Sequence, residues 1–219
     1  MPHPGPSKRH KKHDPPGLDA TGTEAIAGLD QQLFVTRLGT PSTETLLSFP
    51  YPFIIPKRFK VNEHAQFMFS GRTIFRKLYD FALSMNSFSK KRLHVHGPLG
   101  VGKSHLLAAV AVAMQRAGRN IIYLPDCVEL LLAPTPATYV ILAIHHAFAK
   151  HPVLGDKSKS LTDSQIHSRD PEILERGTSD FCQFARDNNK SILLIVDQTN
   201  ALDAAVLGRA PPAPPSGED

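Results

Sequence analysis

The chain has little cysteine, no long uninterrupted apolar run and, outside one short terminus, almost no net charge. Each shortage removes a class of protein. Two cysteines, Cys127 and Cys182, cannot build a disulfide framework and show no metal-ligand spacing, so they are expected as reduced, buried thiols in a reducing compartment. No apolar stretch follows the first basic residues, as a secretory leader would require. The longest charge-free stretch, Leu130 to Ala149, contains Pro134, Pro136, His145 and His146, which fits a buried helix behind a turn and not a membrane span. The expected location is intracellular, cytoplasmic or nuclear, with no membrane contact.

The net charge of +5 is equally local. Lys8, Arg9, Lys11 and Lys12 lie within residues 1–13, which hold no acid, leaving +1 for the rest of the chain. A nucleic-acid contact is therefore expected only through this tail. Lys8-Arg9-His10-Lys11-Lys12 reads either as a nuclear localisation signal or polyanion contact, or as a solvated disordered terminus. The 219 residues, 41% of them apolar, suffice for one domain of ordinary size with tails. The 19 prolines concentrate towards the ends. Four segments follow: a disordered basic tail over 1–30, an extended lead-in over 31–68, a nucleotide-binding domain over 69–206 and a proline-rich disordered tail over 207–219.

What the chain does have is a glycine loop. Gly97-Pro98-Leu99-Gly100-Val101-Gly102-Lys103-Ser104 matches G-x-x-x-x-G-K-[ST]. The glycines let backbone N–H groups wrap a phosphate without side-chain clash. Lys103 would reach the outer phosphates and Ser104 Oγ would bind the accompanying magnesium. His105 follows in the first turn of a helix whose positive dipole end faces the same oxyanions. The context suits this chemistry: Arg92-Leu93-His94-Val95-His96 is expected as a strand before the loop, and Lys103 to Arg116 as a helix after it, stopped by Gly118.

A triphosphatase needs a second acid to hold the metal. Ser191 to Val196 is an apolar run expected as a strand buried on both faces, and Asp197 closes it at the sheet edge where ligands bind. The next residue, Gln198, can orient a water but cannot accept its proton, so slow or partner-dependent hydrolysis is expected. Asp203 is a substitute acid by type only.

Elsewhere, Thr73 to Met85 reads as a helix with Ile74, Leu78, Phe81 and Leu83 towards the core. Asn120 to Leu124 reads as a second strand, Thr138 to Lys150 and Pro171 to Asn188 as helices, and Gly155 to Asp170 as a polar surface loop. The fold class is α/β, a three-layer parallel sheet of the phosphate-loop type. Only three strands are expected where five are usual, so the sheet is expected to be incomplete, either through truncation or because self-association or a protein partner completes it.

With these motifs assembled, the chain resembles the P-loop ATPase domains of Crinkler-type effector proteins, related to the AAA+ and STAND ATPases. The carrying residues are His96 to Ala108 (HGPLGVGKSHLLA), Tyr123 to Cys127 (YLPDC) and Ile195 to Asp203 (IVDQTNALD), within a resemblance from about Phe69 to Asp203. It implies ATP and Mg2+ as ligands, Lys103, Asp197 and Gln198 as the catalytic set, and Ser104 and Asp197 as metal holders. Phe69-Ser70-Gly71-Arg72 looks like the F-x-G-R box of STAND ATPases, which would bring Gly71 and Arg72 near the adenine and ribose; a turn followed by a surface helix is the other reading. Two other functions stay open. Asp126 would orient an acceptor hydroxyl in a small-molecule phosphotransferase. Alternatively, Arg209-Ala210-Pro211-Pro212-Ala213-Pro214-Pro215 would dock an SH3-type groove in a non-hydrolysing, truncated interaction module.

Overall fold

The computed structural model describes residues 30–51, 55–85, 92–98, 100–132, 136–165 and 170–199. The basic tail, Leu99, Asp203 and the proline-rich segment lie outside the described residues. Those described form a mixed α/β structure with seven helices, one antiparallel strand pair and one parallel pair.

The segment expected as an extended lead-in starts instead with a helix, α1 (Gln31–Gly39). Its signal is the cap: Asp30 Oδ1 accepts from the Gln32 and Leu33 amides at 2.6 and 3.1 Å, and Phe34, Val35 and Leu38 share a buried face. Strand β1 (Glu44–Ser48) then pairs antiparallel with β2 (Gln66–Ser70), Leu46 opposite Met68. Helix α2 (Thr73–Ser84) buries Phe75, Tyr79 and Ala82, while Ile74 and Leu83 are 45% and 42% exposed. The expected core face is thus rotated by one residue, because the aromatic Phe75 and Tyr79 bury more area than the aliphatics beside them.

Helix α3 (Lys103–Arg116) is the centre of the packing. Ala108, Ala109, Ala111 and Ala113 are all fully buried, and these small side chains let α1, α2 and strand β3 (Asn120–Leu124) approach one cylinder from several sides. Gln31 Nε2 ties three helices together by donating to Tyr79 Oη and to the Ala113 carbonyl. After β3 come α4 (Cys127–Leu132), α5 (Pro136–Phe148), α6 (Gly155–Gln165), α7 (Pro171–Asp187) and β4 (Ile192–Val196). Helix α5 packs on β3 and carries α6 and α7 behind it.

Helix α6 corrects the expected loop. Leu154, Ser158 and Leu161 are buried at helical spacing, a stripe too narrow to show within a polar sequence. Cys127 is buried, and burial, then the nearby Asp126 and Asp197, push its thiol up to about 11. Cys182 is exposed, against the expectation of two buried thiols.

β3 and β4 run parallel in register, Tyr123 opposite Ile195, and Asp197 N extends the ladder to the Leu124 carbonyl at 3.0 Å. β4 was expected buried on both faces, but Leu194 is 56% exposed. Residues 92–98, expected to hold a strand, form none, and Leu93 is 46% exposed. A strand exists only where a neighbouring edge satisfies its backbone groups, and no described strand lies beside this one. Among the described residues, no helix is long and apolar enough to cross a membrane.

Candidate functional site

The glycine loop needs its glycines for conformational reasons. Gly100 and Gly102 have φ of 79° and 74°, left-handed values that a side chain resists. Gly102 caps α3 and itself offers the first amides of that helix no side-chain acceptor. Lys103 folds back over the loop, its Nζ donating to the Gly97 and Pro98 carbonyls at 2.8 and 2.7 Å. Val101 is exposed on the rim. Arg72 reaches the loop from outside, its Nη1 donating to the Val101 carbonyl.

The floor of the site comes from the two ladder ends. Asp197 directly follows β4 and Asp126 lies two residues beyond β3, so both acids sit at the same end of the parallel pair, both largely buried and both bonded to one arginine. Asp126 Oδ1 also caps α4, accepting from the Val128 and Glu129 amides at 2.9 and 3.1 Å.

Between these acids and the loop lies a residue the sequence reading missed. Arg58 Nε donates to Ser104 Oγ at 3.1 Å, Nη1 to Asp126 Oδ2 at 2.6 Å, and Nη2 to Asp197 Oδ2 at 3.0 Å and to the Pro125 carbonyl. In the amide orientation that satisfies both its ends, Gln198 donates to Asp126 Oδ1 at 2.6 Å and accepts from Arg58 Nη1 at 3.1 Å. Burial pulls the Arg58 pKa down, but Asp197 and Asp126 outweigh it and hold it above its ordinary value. No sequence signal singles Arg58 out among Lys57, Arg58 and Lys60; only the fold carries it to the loop.

Phe59 anchors that approach. Its ring lies 4.8 Å from Phe49, 5.5 Å from Phe67 and, stacked, 4.5 Å from His105. His105, expected to touch nucleotide, stacks its ring on this aromatic cluster. Burial first, then Arg72 and Arg58, lower its pKa, with Asp197 opposing. Burial likewise lowers His146, whose ring nitrogen bonds the Pro50 carbonyl at 3.1 Å. The sign follows directly. A histidine held neutral in the fold but free to protonate when unfolded contributes fully above its unfolded pKa of about 6.5, and that contribution is lost as pH falls towards the folded value. The unfolding temperature is expected to drop between pH 7 and pH 5, and to drop less in His105→Phe; an equal drop in both proteins would place the effect elsewhere.

The structure thus gathers Lys103, Ser104, Asp197 and Gln198 at one end of β3 and β4, with Arg72 on the loop. Gly71 lies farther back, packed against the α1 terminus: its amide donates to the Thr43 carbonyl at 2.8 Å, and any Cβ would fall 2.1 Å from the Thr40 carbonyl oxygen. An open cleft of about 500 Å³ lies beside it, walled by Ser42, Glu44 and Ser70. For Mg2+, the test is whether the oxygens offered fit it. Ser104 Oγ and Asp197 Oδ2 face the same side chain, but they are bonded to Nε and Nη2 of its guanidinium, and an octahedral ion does not fit between them while Arg58 stays.

Comparison with family models, with curated proteins and with solved structures finds no match for this chain.

Proposed function

We propose that the chain binds a nucleoside triphosphate, ATP by its resemblance to Crinkler-type P-loop ATPase domains, on the loop Gly97 to Ser104. The supporting observation is the convergence of Ser104 Oγ and Asp197 Oδ2, remote in sequence, on one cation at the loop mouth. In this reading the parallel β3–β4 pair, with α3 rising from the loop, is part of a phosphate-loop sheet. Arg72 and the cleft beside it are the base end of the site. Hydrolysis is weak or partner-dependent, since Gln198 accepts no proton and is already bonded to Asp126 and Arg58. Among the described residues the parallel sheet has only two strands, each with an open edge, and Leu194 is exposed on its face, which supports self-association or a partner strand that completes the sheet. The phosphotransferase reading is weaker, because Asp126 is consumed by a helix cap and an ion pair.

Isothermal titration with ATP tests the proposal. Lys103→Ala removes the cation expected on the outer phosphates without touching the core, and affinity is expected to fall at least about tenfold. Equal heats from wild type and variant would sink it.

A further inference from the structure

With the Gln198 amide oriented so that its oxygen faces Arg58, the five N–H donors of Arg58 meet five acceptors: Ser104 Oγ, Asp126 Oδ2, the Gln198 amide oxygen, the Pro125 carbonyl and Asp197 Oδ2. Full satisfaction of a guanidinium at the meeting point of a phosphate loop and two carboxylates is a built site. Resting on the nucleotide reading, we propose that Arg58 is the chain's own cation between Ser104 and Asp197, standing in for the divalent ion, so that triphosphate binds without Mg2+.

Arg58 is held at its root: Phe59 is 3% exposed within the aromatic cluster, and its amide closes a turn on the Pro56 carbonyl at 2.9 Å. The arm therefore enters from a fixed base rather than from a loose surface loop.

Displacement is also costly. Mg2+ demands near-octahedral oxygen geometry and dehydrates reluctantly. Bound to Ser104 Oγ and Asp197, it would break two of the five bonds and drive out the guanidinium. The Pro125 carbonyl and the Gln198 amide oxygen would then lose their donor.

Gln198 suits this cation. Its amide has a donor for Asp126 and an acceptor for Arg58, at 2.6 and 3.1 Å. A glutamate in the same place would set a second carboxylate against Asp126. Around the loop, Lys103, Arg58 and Arg72 face Asp126 and Asp197, and the surplus positive charge is left for a polyanion.

The experiment titrates the full-length chain with ATP in excess EDTA and in excess Mg2+, and separately with Mn2+ alone, read by electron paramagnetic resonance. Wild-type affinity for ATP is expected to agree within about threefold between the two buffers. Mn2+ alone is expected not to bind wild type but to bind Arg58→Gln. That variant should lose at least about tenfold in ATP affinity in EDTA and regain it with Mg2+, because the vacated position then admits the metal. Tenfold or greater tightening of wild type by Mg2+, or equal Mn2+ binding by wild type and Arg58→Gln, would overturn the proposal. The wild-type arms decide it even if the variant fails to fold. Absence of ATP binding by wild type in both buffers would instead remove the nucleotide reading, and the Mn2+ titration would still report whether Arg58 excludes a divalent ion.

Discussion

Gly71→Ala is expected to destabilise the fold by about 3 kcal/mol, a substantial part of an ordinary domain's stability. The added carbon would sit 2.1 Å from the Thr40 carbonyl oxygen and 3.0 Å from that of Arg37. Both are backbone atoms at the end of α1, so no side chain can swing aside. Escape would need the whole segment to shift, but the Gly71 amide is bonded to the Thr43 carbonyl and the Arg72 amide to that of Leu38. These two bonds lock the strand–helix junction onto α1. Gly39→Ala is the control: its Cβ would meet only Arg76 Cβ at 3.7 Å, an ordinary contact, and it should leave stability unchanged or raise it by up to about 1 kcal/mol. Urea unfolding midpoints check both. A Gly71→Ala midpoint equal to wild type would show that the junction yields, and would make nucleotide contact the better account of this glycine. If the junction holds, its second effect is to aim Arg72 at the Val101 carbonyl, so packing and ligand readings of the F-x-G-R segment become one.

The parts of this site legible in sequence are those where local chemistry dictates residue type. The phosphate-loop pattern fixes glycine at set spacing, so the match at Gly97 to Ser104 is visible before any fold is known. β3, β4 and α3 are visible for a related reason, since their apolar runs have the length and period of their elements. Over 92–96 the apolar pattern reports only that the segment can extend; pairing depends on an edge elsewhere in the chain or outside it. Helix α6 was hidden by its polar outer surface, and the α2 face by neighbouring aliphatic and aromatic residues competing for the same core. Arg58 had no signal at all. Its role is set by β1–β2 packing and by the Phe59 anchor, which deliver it to residues far along the chain. At Gln198 the sequence shows a side chain that accepts no proton, but not its neighbours. Next to Asp126 and Arg58, the amide is the side chain of this size that can bond to both.

Asp126→Ala is expected to cost about 3 kcal/mol, because one side chain does two separable jobs. Oδ1 caps α4, a contribution of about 1 kcal/mol. Oδ2 holds Arg58, and breaking one side of a buried pair costs about 3 kcal/mol or more when the partner is left bare. Here the partner is not bare: Asp197 still holds it at 3.0 Å and the Arg58 side chain is 25% exposed, which brings that share nearer to about 2 kcal/mol. Asp126→Asn separates the two jobs. Its amide oxygen can still accept from the Val128 and Glu129 amides, so it should lose the ion-pair share and keep the cap, unfolding at a denaturant concentration between those of wild type and Asp126→Ala. Asp197→Ala should resemble Asp126→Asn, since its carboxylate bonds Arg58 and the Gln198 amide but caps no helix. The ordering wild type, then Asp126→Asn with Asp197→Ala, then Asp126→Ala is the test. Had Asp126 been kept for an acceptor hydroxyl, it would sit solvated, and its removal would leave the unfolding midpoint where it was. A flat series would therefore return the phosphotransferase reading to first place and leave Arg58 with a single anchoring acid.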